Sequence, residues 1–245
     1  MTASSVQRRL LNGLFYYVHR LNKIRVKRTI KSGADLGTVF GDIHRLGYWQ
    51  GGVYGESVSG TGSHQDENAG YAAAVIELME ARGLARIFDC SCGDLNWAVD
   101  LLAAPGIDYH GGDIVPALVE RNRAAHDLDA DHMRVFDLTE TPFLDVDLWH
   151  CKDTLFHLSF ENIRRVLENF AASTVPFALI TTQTTPPEQL NGDIQNGQYR
   201  PLDLTRAPIS LPPPEVTIPN GTHGGIPKHS GLWTRETIAA VVRNN

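Results

Sequence analysis

The sequence predicts an α/β fold, in which a doubly wound, mostly parallel sheet follows an N-terminal helical extension. From residue 86 onward, short apolar runs alternate with segments of helical periodicity. Turns of small or polar residues separate them, and an acid stands at or near the end of three apolar runs. Strands that alternate with helices imply right-handed crossovers and a parallel sheet.

The N-terminal part is predicted as a helix over residues 5–22, because apolar residues recur there at helical spacing. Residues 32–70 show little regular pattern. Within them, a Gly/Ser-rich stretch from Trp49 to Ser63 also contains Tyr54. We interpret this stretch as an ordered loop that folds over a ligand rather than as a flexible linker. A helix over about 68–82 follows.

The alternation after residue 86 gives the remaining elements. The predicted strands are 86–90, 108–113, 132–136, 146–151 and 176–182, and the predicted helices between them are about 95–104, 115–126 and 159–171. Beyond Thr185, Pro186, Pro187 and the run from Pro212 to Pro214 exclude long helices. Two late strands, near 215–218 and 230–234, are expected to form an antiparallel edge.

Charge divides the chain into two parts. The first 34 residues contain no acid, yet they carry eight of the 22 Lys and Arg residues. We assign residues 1–47 to a basic extension and residues 48–245 to the main domain. The extension helix is interpreted as a packing helix, with contact to an anionic membrane and a transit peptide as alternatives. The main domain is acidic, which disfavours nucleic acid as a partner.

Composition places the chain among ordinary globular proteins, with 42% apolar and 20% charged residues. No apolar run is long enough to span a bilayer. Cys90, Cys92 and Cys151 are an odd number, and the first two are too close for an easy disulfide. Reduced thiols in the cytoplasm are therefore expected. We identify no metal ligands, because these thiols are too few for a metal site.

The ends of the predicted strands carry the residues of chemical interest. They are Asp89, Asp113, Asp137 and the group Cys151-Lys152-Asp153. Ligands of such sheets bind at the carboxyl ends of the strands. Asp113 follows Asp89 by 24 residues, close to the spacing of a carboxylate that binds ribose. The alternative is that these acids merely cap the helices that follow.

The same motifs carry a family resemblance, which covers roughly residues 48–235. Their order resembles that of class I S-adenosylmethionine-dependent methyltransferases: Asp89-Cys90-Ser91-Cys92-Gly93-Asp94, Gly111-Gly112-Asp113-Ile114, Phe136-Asp137-Leu138 and Cys151-Lys152-Asp153. The segments Ser59–Ser63 and Asp153–Ser159 resemble a bacterial subfamily that methylates small molecules and saccharides. The family usually has glycine where Ser91 and Leu95 stand here.

The resemblance implies S-adenosylmethionine as cofactor. Asp113 would then bind the ribose hydroxyls, Ile114 would pack on the adenine, and Asp137 with Leu138 would hold its amino edge. Asp89 and Gly93 would contact the methionine part. The complete implied set of cofactor-binding residues is Ser59, Gly62, Ser63, Asp89, Ser91, Gly93, Asp94, Asn96, Trp97, Asp113, Ile114, Asp137, Leu138 and Lys152.

The catalytic candidates are Asp153 and His157, which are four residues apart and would share one face of a helical turn. Either is a candidate base for removing the proton of an alcohol. The alternatives are that His157 only bonds to backbone and that Asp153 orients the acceptor or the sulfonium region. The acceptor pocket is expected in the loops of about 184–230 and their neighbours, at Thr182, Gln183, Asn191, Asp193, Tyr199, Arg200, Lys228, His229 and Trp233.

Together these features predict an enzyme that transfers a methyl group to a hydroxyl of a small or saccharide-type acceptor. The alternatives are a peptide or lipid acceptor and cofactor binding without catalysis. A nicotinamide-dependent oxidoreductase is disfavoured, since Ser91 to Asn96 supplies only the middle glycine of its motif. An enzyme that methylates nucleobase amines would carry an Asn/Asp-Pro-Pro-aromatic run after the fourth strand, where Cys151 to Thr154 stand.

Overall fold

The sheet of this protein has seven strands in the order β3-β2-β1-β4-β5-β7-β6. The computed structural model describes residues 5–50, 56–186, 191–223 and 225–244. Strands β1 to β5 are parallel, and β7 runs antiparallel between β5 and β6. The predicted parallel sheet and its antiparallel edge are therefore confirmed.

The strands are β1 Arg86–Cys90, β2 Asp108–Asp113, β3 Met133–Val135, β4 Leu148–Cys151, β5 Phe177–Gln183, β6 Val216–His223 and β7 Ile226–Thr234. The helices are α1 Ser5–Lys31, α2 Leu36–Arg45, α3 Gln65–Arg82, α4 Val99–Ala103, α5 Pro116–His126, α6 Phe160–Ala171 and α7 Arg235–Asn244.

The strands bury both faces of the sheet, because successive side chains point to opposite sides. Ile87 and Leu148 lie in one core with α3 and α4, whereas Phe88 and Trp149 lie in the other with α6 and α7. This explains why the strands appear in sequence as continuous apolar runs. It also leaves the carboxyl ends of the strands as the edge where polar side chains gather.

Helix α2 overturns the expectation that residues 32–70 lack regular structure. Asp35 caps it, since the Thr38 N–H donates to Asp35 Oδ1 at 2.8 Å. Its buried residues, Val39 and Ile43, recur at helical spacing. A second helix that we did not predict, α7, follows β7, beyond the proline-containing segment in which we expected no long helix.

Two predicted helices have different lengths in the structure. Helix α1 continues to Lys31, nine residues beyond the expected end. Helix α4 begins at Val99 rather than near residue 95, because Leu95 adopts a left-handed conformation with a φ of 58°. Such a residue cannot continue a right-handed helix.

Helix α1 packs on α2 through its last turns. Val26 and Ile30 form a small core with Val39 and Ile43. Val18, which we expected in the packing row, is 45% exposed, and the side chains before Tyr16 lie outside the described part. In the described part of the chain, no helix is both long and apolar enough to cross a membrane.

Gly197 joins this helical extension to the loop between β5 and β6. Its φ is +88°, and a Cβ atom there would lie 2.7 Å from Val39 Cγ1 and 3.0 Å from Ile43 Cδ1. Its N–H donates to the His157 carbonyl at 2.8 Å. The close approach of α2 therefore depends on a residue without a side chain.

We expect Gly197→Ala to lower the free energy of unfolding by about 2–4 kcal/mol. The alanine would have to adopt a left-handed backbone conformation, and its Cβ atom would crowd the side chains of α2. Gly192→Ala in the same loop is the matched control, since a Cβ at Gly192 meets no atom within 4 Å. Denaturant unfolding measures both variants. Equal midpoints for Gly197→Ala and the wild type would contradict the packing role of Gly197.

Candidate active site

A cavity opens where the carboxyl ends of β1, β2 and β4 meet α2 and the loop before α3. Its volume is about 790 Å³, including the open mouth. Most of the residues predicted from the sequence line it: Ser59, Ser63, Ser91, Gly93, Trp97, Asp113, Ile114, Asp137, Leu138, Lys152, Asp153 and His157.

The turn after β1 forms one wall of the cavity. Gly93 has a φ of +62°, and a Cβ atom there would lie 2.6 Å from Ser59 Oγ. Only glycine fits this approach of the covering loop, residues 56–63. Of the two positions where the family usually has glycine, Leu95 takes a left-handed conformation with a φ of 58°, whereas Ser91 does not have a positive φ.

Asp94 and Asn96 bond to the covering loop and do not line the cavity. Asp94 Oδ2 accepts the Ser57 hydroxyl at 2.8 Å and the Val58 N–H at 2.9 Å. The Asn96 side-chain amide donates to the Ser63 carbonyl at 2.8 Å. Two residues expected at the cofactor thus lie behind the lining, where they position Ser59 and Ser63.

Asp89 also lies behind the lining, where it centres a buried polar network. His150 Nδ1 donates to Asp89 Oδ1 at 2.7 Å, and the Tyr109 hydroxyl donates to Oδ2 at 2.7 Å. His150 Nε2 bonds to the Tyr71 hydroxyl, which also bonds to Ser230, both at 2.7 Å. The Asp89 carboxylate is fully buried, and these partners compensate its burial.

Asp113 presents a buried carboxylate to the cavity. Its Oδ2 accepts the Gly93 N–H at 3.1 Å, and its Oδ1 accepts the Val115 N–H at 3.0 Å. Each oxygen keeps a second lone pair for a ligand. Burial raises the pKa of Asp113, while the nearby His44 opposes the rise.

Asp153 lies between two ammonium groups at the end of β4. Its Oδ2 bonds to Lys228 Nζ and lies 3.1 Å from Lys152 Nζ. Burial disfavours the charged carboxylate, but the two lysines outweigh it and lower the pKa of Asp153 to about 2. Lys152 Nζ also donates to the Gly62 carbonyl at 2.7 Å, so Gly62 serves the cavity through its backbone.

His157 has a defined tautomer. Its Nδ1 lies 2.8 Å from the Gln198 carbonyl, and because a carbonyl only accepts, Nδ1 carries the proton and Nε2 a lone pair in the neutral ring. Trp49 stacks on the ring at 4.7 Å between centroids. Burial lowers the pKa of His157 to about 4, with the Gln198 carbonyl opposing. The ring is therefore neutral at pH 7.

None of the nine residues expected in the acceptor pocket lines this cavity. Most support the loop between β5 and β6: Gln183 Oε1 accepts the Leu202 N–H at 3.3 Å, and Asn191 donates to the Asp203 carbonyl at 2.8 Å. Lys228 alone among the nine bonds to a lining residue that we predicted as catalytic, Asp153.

Sequence reasoning missed the wall that α2 supplies. Leu36, Phe40 and His44 line the cavity opposite the strand ends. Their signal was present, because Leu36, Val39, Phe40 and Ile43 recur at helical spacing after a capping aspartate. His44 Nδ1 is buried and has no hydrogen-bond partner in the described part of the chain.

We expect Asp89→Ala to destabilise the protein by about 3–5 kcal/mol, because it leaves His150 and the Tyr109 hydroxyl without their buried partner. Asp100→Ala, on the exposed side of α4, is the control and should change stability by less than about 0.5 kcal/mol. Denaturant unfolding distinguishes them. A stable Asp89→Ala variant that has only lost ligand affinity would show that Asp89 serves the ligand instead.

The chain was compared with known proteins, and it matches no protein-family model and no curated protein. Solved structures do match. Magnesium protoporphyrin IX methyltransferase (ChlM) from Synechocystis PCC 6803, with bound SAM (S-adenosylmethionine), has a TM-score of 0.53 at 17% identity, covering 82% of this chain and 98% of that chain. Mitomycin 7-O-methyltransferase MmcR has a TM-score of 0.56 at 16% identity, covering 90% and 68% respectively. The chain therefore has the fold of class I S-adenosylmethionine-dependent methyltransferases.

Proposed function

We propose that the protein binds S-adenosylmethionine in this cavity and transfers the methyl group to a hydroxyl of a small acceptor, a saccharide or a similar hydroxylated molecule. One observation carries the proposal. A single cavity joins a buried carboxylate with free lone pairs, Asp113, to an imidazole with a free lone pair, His157.

The cavity residues fit the cofactor by their chemistry. Asp113 offers two oxygens to the vicinal hydroxyls of ribose. Ile114 and Leu138 offer apolar surface to a flat ring, with Asp137 beside them. The orphaned His44 nitrogen, close enough to Asp113 to oppose the rise of its pKa, is a buried polar atom that a bound ligand would satisfy.

S-adenosylmethionine supplies a methyl group already activated on a sulfonium sulfur. The protein then has to align the acceptor, exclude water and receive one proton. His157 Nε2 would take the proton of the acceptor hydroxyl, and the bound cofactor would supply the methyl group to the acceptor oxygen and leave as its demethylated thioether. The Gln198 carbonyl holds the opposite nitrogen, which keeps the lone pair on Nε2.

Asp153 is assigned a different role from His157. With a pKa of about 2, the Asp153 carboxylate is a weaker base than the His157 imidazole, whose pKa is about 4. It remains charged through the reaction and therefore stabilises the imidazolium that forms on His157, whose pKa it raises. Its bonds to Lys152 and Lys228 hold it in one position.

The proposed acceptor side is the aromatic cluster around His157. Trp49 stacks on His157, and Phe156 contacts it edge-on at 4.7 Å between centroids. Tyr199 and His223 lie next to Phe156, 4.2 Å apart between centroids. Aromatic faces mixed with hydroxyl and imidazole groups suit a ring-shaped acceptor that carries hydroxyls.

Isothermal titration with S-adenosylmethionine tests the first half of the proposal. We expect Asp113→Ala to weaken binding roughly 10- to 150-fold, the cost of losing hydrogen bonds to a charged acceptor. Asp113→Asn keeps the shape and one acceptor oxygen and should fall in between, while Asp100→Ala should bind like the wild type. Absence of binding by the wild type, or unchanged binding by Asp113→Ala, would refute the cofactor assignment.

A methyl-transfer screen over sugars, phenols, lipids and peptides tests the second half. On the acceptor it identifies, we expect His157→Gln to lower kcat about 10²- to 10⁴-fold with little change in cofactor affinity. Because the pKa of His157 is lowered from 6.5 to about 4, the wild-type kcat/KM should hold from pH 7 to about pH 5 and fall only below that.

The pH profile also separates the candidate base from other groups. His157→Gln should abolish the fall in kcat/KM near pH 4, whereas His126→Gln, at the end of α5 and outside the cavity lining, should keep it. A wild-type fall near pH 6.5, or full turnover by His157→Gln, would show that another group takes the proton. Cofactor binding without turnover on any acceptor would favour a binding protein.

A further inference from the structure

We propose that Asp108, His110 and His132 bind one divalent transition-metal cation of the zinc class, at a site separate from the cavity. In the described part of the chain, a carboxylate oxygen and two imidazole nitrogens from these residues lie within 4.8 Å of one another. Neither the cofactor nor the proposed methyl transfer uses any of the three.

The sheet brings the three residues together. Asp108 and His110 are two apart on β2, so their side chains point to the same face. His132 directly precedes β3, whose Met133 pairs with Gly111 in parallel register. The Gly111 N–H also donates to the His132 carbonyl at 2.7 Å, which places His132 beside His110.

Two separations between nitrogen and carboxylate oxygen are close to those of a tetrahedral zinc site. His110 Nε2 lies 3.2 Å from Asp108 Oδ2, and His132 Nε2 lies 3.5 Å from Asp108 Oδ1. Bonds of about 2.0–2.2 Å in tetrahedral geometry place neighbouring ligand atoms roughly 3.3 Å apart. Three protein ligands leave the fourth position for water.

The opposite nitrogen of each imidazole already has a partner. His110 Nδ1 lies 2.9 Å from the Asp131 carbonyl, and His132 Nδ1 lies 2.8 Å from Asp129 Oδ1. Since a carbonyl or carboxylate oxygen only accepts, each Nδ1 donates, and both Nε2 lone pairs face Asp108. This is how metal-binding histidines are usually oriented.

His110 gives an independent indication of a missing ligand. Its side chain is only 9% exposed, and its Nε2 is a buried atom without a hydrogen-bond partner in the described part of the chain. Asp108 Oδ2 lies 3.2 Å from this nitrogen, and when the imidazole is neutral two lone pairs face each other. A cation between them would satisfy both.

Two features of this cluster oppose cation binding and would have to change when a cation binds. Arg86 Nε lies 3.3 Å from Asp108 Oδ2, but both side chains are 44% exposed, so water screens this charge and Arg86 is free to swing away. The rings of His110 and His132 are nearly parallel, at 10°. His132, at 43% exposure, is the ring that tilts to aim its lone pair.

The types of ligand atom indicate which class of metal the site would bind. Two imidazoles and one carboxylate suit zinc and its neighbours rather than magnesium or calcium, which prefer oxygen donors.

Asp108 lies five residues from Asp113 on the same strand, about 16 Å away at the usual rise. A cation there pins β3, an edge strand of three residues, to β2.

The test is titration of the chelator-treated, full-length protein with zinc chloride and with cobalt chloride. The wild type should bind one zinc ion per chain, and bound cobalt should show the intense visible absorption of a tetrahedral site. We expect His132→Ala and Asp108→Asn each to weaken zinc binding at least tenfold and to abolish the cobalt spectrum, since each removes a ligand. Zinc should also raise the melting temperature of the wild type but not of either variant.

His126→Gln is the matched control, because it removes a histidine outside the cluster, and it should bind zinc and cobalt like the wild type. Absence of zinc binding by the wild type would overturn the proposal. So would equal zinc affinity in His132→Ala, Asp108→Asn and the wild type, which would place the ion elsewhere. Affinity for S-adenosylmethionine is measured in parallel, and because the site lies apart from Asp113, its value should not depend on zinc.

Discussion

The buried ion cluster of Lys152, Asp153 and Lys228 is the interaction on which the cavity depends. A buried charge is tolerated only when it is paired and hydrogen-bonded, so each member needs the element that carries its partner. Asp153 follows β4, and Lys228 comes from β7. The Asp153 N–H bonds to Thr181 of β5 at 3.0 Å, and Asn220 of β6 donates to its carboxylate at 3.3 Å. Four strands therefore meet at one residue, Asp153.

The same cluster explains how the open side of the cavity is covered. Lys152 reaches the Gly62 carbonyl in the covering loop, which Asp94 holds from the opposite side. The loop is thus fixed at two points, by Lys152, which also lines the cavity, and by Asp94. Asp94 holds the covering loop, whereas we propose that Asp113 holds the ligand.

The parts of the fold that rest on local patterns were predictable from the sequence. Apolar runs identified the strands, and the ends of β1, β2 and β4 led to most of the residues that line the cavity. Helix α2 was missed because Gly37 and Gly41 lower its helical propensity and hide a clear apolar row. The role of Asp89 was not predictable, since the direction of its side chain depends on Tyr109 and His150, which are distant in sequence.

The histidines of the proposed cation site show the same limit more strongly. His110 and His132 are 22 residues apart, and no short ligand spacing joins them. Their proximity follows from the parallel register of β2 and β3, a property of the assembled sheet. Sequence reasoning found the residues at the carboxyl ends of the strands, because these ends meet at one edge of a parallel sheet. It missed a site that depends on the register between two particular strands.

The contact between Gly197 and α2 has a consequence for how the protein is assembled. The cavity takes one wall from α2, near the start of the chain, and one of its ions from Lys228, near the end. A contiguous fragment that contains both has to span most of the chain, from α2 to Lys228, so the complete pocket needs nearly the whole polypeptide. Such a pocket has a high contact order and forms late. Any molecule that binds there would stabilise the protein as one cooperative unit rather than a single local segment.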